Sequence, residues 1–276
     1  MKWRSCLAGL VLTLSLPGIS MAAGPSLSIG IFPGTGTADM LRSDFRPMAT
    51  PFAEELAEAL GRKAQLTMYR SLRSTNRSMV KGRKDLYFAP PTVAVAAFNK
   101  GYSPIARVEA FLKVVLVRRK GATVTTVALT ERQSVPDVLG RFVLKQNNEK
   151  VKFMNVKSQE DVLLAMKRNY AQAGALGGKK AKALLESSDD YEEWYPLPLS
   201  PGFTLVASDR LSEEDRHKLE VAITSIDPRV VEKMQKAFVS KLGKFVADKD
   251  AEFKTLHQAM EEAGYIEARK QVAEAR

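Results

Sequence analysis

Short apolar segments alternate with helical segments along most of this chain of 276 residues. Residues 27–32 and 64–69 have the apolar, alternating composition of strands. Between them, residues 47–60 place their apolar side chains on one helical face, and Gly61 follows as a stop signal. Strands and helices that alternate at this spacing form crossover units on a sheet. The chain is therefore predicted to have an α/β fold with largely parallel strands.

The same alternation continues through the second half of the chain. Further strands are predicted at 85–89, 124–129, 151–156, 173–176 and 194–199, and further helices at 93–100, 138–145 and 158–169. Two strand-like connections, at 111–118 and 203–207, divide this pattern into two lobes that the chain crosses twice. We expect residues 24–112 and 205–276 to form one lobe and residues 113–204 to form the other.

Three segments depart from the alternation. Residues 70–84 are polar and basic, with no strand or helix predicted, and a charge run of this kind is usually a solvated face. Residues 177–180 contain two glycines and are predicted to form a turn. From Ser212 onward the pattern is almost wholly helical, with acidic residues directly after the serine.

The N-terminus has the composition of a cleaved secretory signal. Lys2 and Arg4 precede an apolar run over residues 7–16, and small residues follow at 20–23. The apolar run is much shorter than the roughly 20 residues that span a bilayer. The single cysteine, Cys6, lies within this segment. We therefore predict that residues 1–23 are removed and that a mature protein without disulfides resides in the periplasm.

The chain is basic, with a net charge of +11. Removal of the predicted signal takes away two basic residues and leaves +9. Its 45% apolar and 26% charged residues exclude a disordered chain and predict a folded core. A positive balance favours anionic partners, either small oxyanions or polyanionic surfaces. Nucleic acid is disfavoured, because the basic segment 70–84 contains no aromatic residue for base stacking.

Hydroxyl and basic side chains occur where predicted strands end, the place where ligands bind in α/β sheets. Thr35 and Thr37 follow the first strand, and Thr92 follows the third. Ser134 precedes a proline in the pattern of a helix start, which binds anions through its free amides. Arg70 ends the second strand, where an arginine can pair bidentately with a carboxylate or a phosphoryl group. The alternatives are an ordinary turn for the threonines, a simple helix cap for Ser134, and a solvated face for Arg70.

The sequence contains little that would support catalysis or metal binding. Its two histidines, His217 and His257, lie in polar C-terminal segments, and no tyrosines are adjacent as they are in iron-binding proteins. Ser78 and Lys81 have the spacing of penicillin-interacting enzymes, but the companion motifs are missing. We predict a binding protein without catalytic residues, cofactor or metal.

Four segments together resemble one protein family. They are residues 29–33 (IGIFP), 59–62 (ALGR), 85–91 (DLYFAPP) and 101–106 (GYSPIA). In this order and spacing they are similar to the phosphate, phosphite and phosphonate substrate-binding proteins (PhnD-like) of ABC transporters. The resemblance covers nearly the whole mature chain. It implies a two-lobed type II periplasmic-binding-protein fold, with mixed sheets flanked by helices and two hinge crossovers.

The resemblance also implies a small anionic ligand and delivery to an inner-membrane ABC permease. A sensory protein of the same fold, acting on a membrane partner, is the alternative. The family's Ser-Thr-Ser-Gly turn corresponds here to residues 133–136, which retain one hydroxyl. The candidate ligand residues are Phe32, Thr35, Thr37, Tyr69, Arg70, Pro91, Thr92, Gln133, Ser134 and Gly174.

Overall fold

The computed structural model describes residues 25–37, 39–238, 240–248 and 250–267. The predicted secretory signal lies outside the described residues. Within the described part of the chain, no helix is long and apolar enough to cross a membrane. The described residues form two lobes, and each lobe is built on one mixed sheet flanked by helices.

The strands, numbered in chain order, are short. They are β1 (Leu27–Ile31), β2 (Ala64–Met68), β3 (Leu86–Ala89), β4 (Tyr102–Val108), β5 (Val114–Arg119), β6 (Thr126–Leu129), β7 (Lys152–Asn155), β8 (Ala173–Gly177), β9 (Tyr191–Pro196), β10 (Thr204–Ser208) and β11 (Phe245–Ala247). The first lobe has the strand order β11-β4-β10-β3-β1-β2, and the second lobe has β7-β6-β8-β5-β9.

Each sheet combines a parallel part with an antiparallel part. In the first lobe β1 lies parallel to β2 and β3, whereas β10 is antiparallel to β3 and β4. In the second lobe β6 lies parallel to β7 and β8, whereas β5 is antiparallel to β8 and β9. The carboxyl ends of three parallel strands therefore meet at one edge in each lobe.

Helices connect the parallel strands and continue toward the C-terminus. They are α1 (Arg42–Glu58), α2 (Leu72–Val80), α3 (Pro91–Phe98), α4 (Val135–Gln146), α5 (Gln159–Lys167), α6 (Gly178–Ser187), α7 (Glu213–Thr224), α8 (Pro228–Gln235) and α9 (Lys254–Glu262). The helix α1 begins before the predicted residue 47, because Phe45 and Ala49 are buried on the same face as Phe52 and Leu56.

Two helices lie where the sequence predicted none. The basic segment 70–84 contains α2, which buries Leu72, Thr75 and Met79 on one face and turns its arginines outward. The predicted turn at 177–180 is wrong, since α6 begins at Gly178. The prediction of an almost wholly helical C-terminal part is also wrong at β11, which pairs with β4 and buries Phe245.

The two crossings between the lobes touch each other. Leu112 and Ser200, one from each crossing, exchange two backbone hydrogen bonds of 2.7 and 3.1 Å. Nearby, a Cβ atom on Gly202 would lie 2.8 Å from the backbone oxygen of Ala110 and 2.9 Å from Val108. A glycine is required there because any side chain would push the crossings apart. The paired crossings therefore form a close connection between the two lobes.

The C-terminal helix α9 packs on both lobes. Its Leu256 and Met260, together with Phe253, are buried in one apolar cluster with residues of α3 and α4. Since α3 belongs to the first lobe and α4 to the second, α9 covers the junction between them. A separate cluster holds the interior of the first lobe around α1, α7 and α8.

Candidate ligand site between the lobes

A cavity of about 120 Å³ lies between the two lobes, and we refer to it as the interlobe cavity. Its walls follow the carboxyl ends of β1, β2 and β3 in the first lobe and of β6, β7 and β8 in the second. The described residues that line it include one cation, Lys113, and no acidic side chain. This composition favours a negatively charged occupant.

Five helices begin at the wall of the interlobe cavity. The cap residues of α3, α4 and α6 line it, and so do the first residues of α2 and α5. The caps of α3, α4 and α6 are Pro90, Ser134 and Gly177. The first residue of α2 is Leu72, and that of α5 is Gln159. Each helix start carries a partial positive charge and unpaired amides, and the effect decays within about one turn. Five starts around so small a volume make the cavity suited to an anion.

Ser134 and Thr130 form a buried hydroxyl pair in the second lobe. Their oxygens are 2.7 Å apart, and both residues are almost completely buried. Ser134 also accepts a hydrogen bond of 3.4 Å from the backbone N–H of Asp137, as the cap of α4. The two hydroxyls have two protons, and their mutual hydrogen bond uses only one. The second proton can be donated to a ligand in the interlobe cavity.

The side-chain amide of Gln159 is held so that its nitrogen can donate a hydrogen bond. Its Oε1 accepts a hydrogen bond of 2.8 Å from the backbone N–H of Gly177, the cap of α6. A Cβ atom on Gly177 would lie 3.0 Å from that oxygen, so the absence of a side chain permits the close approach. Because Oε1 is engaged, the Nε2 group of Gln159 remains as a neutral donor beside the cavity.

The first lobe contributes Thr35, in a turn after β1. Gly34 and Gly36 have φ values of 109° and 91°, which favour glycine. The hydroxyl of Thr37 donates a hydrogen bond of 2.8 Å to the oxygen of Gly34 and closes the turn. Thr35 lines the interlobe cavity, whereas the buried Thr37 stabilises the turn that presents it.

Several other predicted ligand residues lie in the core instead of the cavity wall. Phe32 and Pro91 are buried beneath it. The hydroxyl of Tyr69 is bonded to Ser78, which also bonds Tyr87, and burial raises the pKa of the Tyr87 phenol. None of these residues is among the described residues that line the interlobe cavity.

The remaining predicted residues have different surroundings. Gly174 lies within β8, where a Cβ atom would be 2.6 Å from Val162 and 2.8 Å from Met166, so its small size serves sheet–helix packing. Arg70 is exposed. Thr92 is buried, and its hydroxyl has no hydrogen-bond partner among the described residues.

Sequence reasoning missed Thr130, Gln159, Gly177 and Lys113 as lining residues. Thr130 directly follows the end of β6, and Gln159 directly follows Ser158, the predicted cap of α5. Both positions have the local signal, a strand end or a helix start, that predicted Ser134 as a ligand residue. Lys113 had no local signal, because its position beside the cavity results from the crossing between the lobes.

Two α/β lobes, crossed twice by the chain and enclosing a cavity at their strand ends, define a type II periplasmic binding protein. The chain belongs to the family of periplasmic substrate-binding proteins of phosphonate ABC transporters, which it matches over residues 37–253. Proteins of this family bind a solute for transport and are not enzymes. No group of three or more metal-ligating side chains occurs among the residues described by the structure.

Solved structures share this fold at low sequence identity. The XAC2383 protein of Xanthomonas citri, solved with ATP, has a TM-score of 0.71 and 14% identity, covering 88% of this chain and 99% of that one. PhnD1 of Prochlorococcus marinus, in complex with methylphosphonate, has a TM-score of 0.64 and 15% identity over 87% and 99%. The aliphatic sulphonate binding protein SsuA of Escherichia coli has a TM-score of 0.56 and 12% identity over 87% and 92%. No curated protein sequence matches the chain.

Proposed function

We propose that the protein captures a small oxyanion, of the phosphate, phosphite or alkylphosphonate class, for an inner-membrane ABC permease. The observation that carries this proposal is the convergence of five helix starts on an interlobe cavity to which the described residues contribute no acidic side chain. Helix amides together with the hydroxyls of Thr35, Thr130 and Ser134 supply neutral donors. These donors would bind an anion chiefly through hydrogen bonds, with Lys113 as the one cation among the described lining residues.

The volume of the interlobe cavity supports a small ligand. About 120 Å³ is slightly less than the roughly 150 Å³ of a protein cavity that holds one benzene molecule, and this is enough for a tetrahedral ion with few additional atoms. Methylphosphonate, the ligand of the Prochlorococcus marinus protein, is of this size. A nucleotide such as the ATP of the Xanthomonas citri protein is several times larger. We therefore favour an oxyanion with a short or absent alkyl group.

The proposal includes export and a division into lobes. The mature protein would begin at Ala23 or Gly24 and act in the periplasm. Residues 24–112 and 205–276 would form one lobe and residues 113–204 the other, with α9 in contact with both as they close on the ligand. The separate strand sets of the two sheets and the paired crossings support this division.

Calorimetry on the mature protein tests the proposed ligand class. Phosphate, phosphite, methylphosphonate, sulfate, methanesulfonate and a dicarboxylate should be compared, with a sugar and lysine as neutral and cationic controls. We expect one site per chain for a tetrahedral oxyanion, with affinity falling as the alkyl group grows. Binding of only the sugar or lysine would show that the anion proposal is wrong and that the positive charge serves the outer surface.

A further inference from the structure

The first turn of α2 separates the interlobe cavity from a second, larger space. Leu72 lines the interlobe cavity, whereas Arg73 and Asn76 line a groove of about 1070 Å³, which we call the outer groove. The opposite side of the partition belongs to the second lobe. There Ser134 lines the interlobe cavity and the preceding Gln133 lines the outer groove. The two spaces therefore meet at one partition made by both lobes.

Polar contacts join the two sides of this partition: the carboxyl of Glu131 accepts from the backbone N–H of Leu72, and a second bond joins two side chains. Nδ2 of Asn76 donates to Oε1 of Gln133 at 2.7 Å, although the residues are 57 positions apart in the chain. Asn76 lies on α2 of the first lobe, and Gln133 lies just before α4 of the second. Separation of the lobes would break this bond.

Gln133 is fixed in an unusual backbone conformation. Its φ is 69°, a region that residues other than glycine seldom occupy. The backbone N–H of Gln133 donates to Oδ2 of Asp137 at 3.0 Å, and that carboxylate is fully buried. Such strain persists only where the surrounding contacts maintain it. The second lobe thus holds the acceptor of the bond in position.

Asn76 provides the reason why the bond can reopen. Its Oδ1 is buried and has no hydrogen-bond partner among the described residues. An unpaired buried oxygen is unfavourable, and moving α2 away from Gln133 would return it to water. The gain from the bond to Gln133 is therefore partly offset, and neither the closed nor the open partition is strongly favoured.

We propose that the Asn76–Gln133 hydrogen bond is a latch that closes the passage from the outer groove to the interlobe cavity. The inference rests on the proposed function, since it assigns the outer groove as the route by which the anion enters and leaves. Arg73, Lys100 and Arg132 line that groove, opposed by Glu131 and Glu267, so cations predominate along the route.

The latch is tested by the rates at which ligand enters and leaves. Asn76→Ala should raise both the association and the dissociation rate constants of methylphosphonate by about 2- to 5-fold, less than the effect of a full hydrogen bond because the unpaired Oδ1 is removed as well. Arg77→Ala is the control, because Arg77 is exposed on the same helix and is not among the residues lining the outer groove. The Asn76→Ala, Gln133→Ala double variant should behave like Asn76→Ala, since both lack the bond and the buried amide of Asn76.

A second measurement needs no ligand. The only cysteine lies in the predicted signal, so cysteines introduced at the exposed Lys63 and Lys150 can carry a pair of fluorophores reporting the distance between the lobes. Asn76→Ala should shift ligand-free molecules toward larger distances than Arg77→Ala. Unchanged distances and unchanged rates would overturn the latch. A shift without binding of any oxyanion would support the latch and overturn the proposed ligand class.

Discussion

The hydroxyl of Tyr265 donates a hydrogen bond of 2.6 Å to Oδ2 of Asp137. Asp137 is fully buried, and it also accepts hydrogen bonds from Arg141, Asn155 and the backbone of Gln133. The segment after α9 is thereby attached to the first turn of α4, the turn that carries Ser134 at the interlobe cavity. The position of the ligand-facing helix start thus depends on a residue near the C-terminus.

Tyr265→Phe should lower the free energy of unfolding by about 1.5 to 3 kcal/mol, because it removes one donor from a buried carboxylate. The ring and its packing remain. Tyr170→Phe is a suitable control, since Tyr170 is 60% exposed. Urea unfolding of both variants provides the measurement, and equal stabilities would contradict the role assigned to the Tyr265 hydroxyl.

Ser134→Ala should weaken oxyanion binding by roughly 5- to 150-fold, the effect of about 1 to 3 kcal/mol for a lost hydrogen bond to a charged group. Ser212→Ala is the matched control. Ser212 caps α7 through the N–H of Asp215 at 3.1 Å and does not line the interlobe cavity. Calorimetry should therefore find unchanged affinity for Ser212→Ala. If both variants lose affinity equally, Ser134 acts as a cap alone.

Thr92→Val tests a predicted ligand residue whose buried hydroxyl has no hydrogen-bond partner in the part of the chain that the structure describes. Valine has nearly the same shape, so the variant should be more stable than the parent by about 1 kcal/mol in thermal or urea unfolding. Thr75→Val should have the opposite effect, because the Thr75 hydroxyl donates to the oxygen of Ser71 at 2.8 Å. A loss of oxyanion affinity in Thr92→Val would support the ligand role that the sequence predicted.

Glu131→Gln should stabilise the protein near neutral pH. Burial raises the pKa of the Glu131 carboxyl above its usual 4.5, and the backbone N–H of Leu72 offsets only part of this rise. A carboxyl whose pKa is higher in the folded than in the unfolded state makes its full contribution to the free energy of unfolding below the unfolded pKa. That contribution is lost as the pH rises through the folded pKa.

The advantage of Glu131→Gln should accordingly be near zero at about pH 4 and grow toward about pH 8, remaining below about 1 kcal/mol because the side chain is partly exposed. Urea unfolding across this range measures it. Glu193→Gln, at an exposed position of β9, is the control. A constant difference for Glu131→Gln would argue against burial as the cause.

Some elements were predictable because their signals are local. Two helix starts depend on contacts within three residues, at Ser134 with Pro136 and at Ser158 with Asp161. The structure has serine caps at both places. The strands β1, β3 and β8 are buried runs bounded by glycine or proline, and they also lie close to their predicted bounds.

Other elements were hidden by their composition. In α2 the buried residues Leu72, Thr75 and Met79 are separated by arginines and serines, so the segment had the composition of a solvated charge run. The helix α6 begins with Gly178, which has a low helix preference, and with two polar lysines. The segment was therefore predicted to be a turn. In both cases burial against a neighbouring element outweighed the local preference.

The sequence by itself determined the alternation of strands and helices and individual helix starts, since each depends on hydrogen bonds and apolar spacing within a few residues. Only the tertiary structure decided which helix starts share a cavity and that Asn76 faces Gln133. Those relationships depend on the order of strands in each sheet and on the packing of the lobes. That order is set by burial between residues tens of positions apart, for which no local pattern in the chain provides a signal.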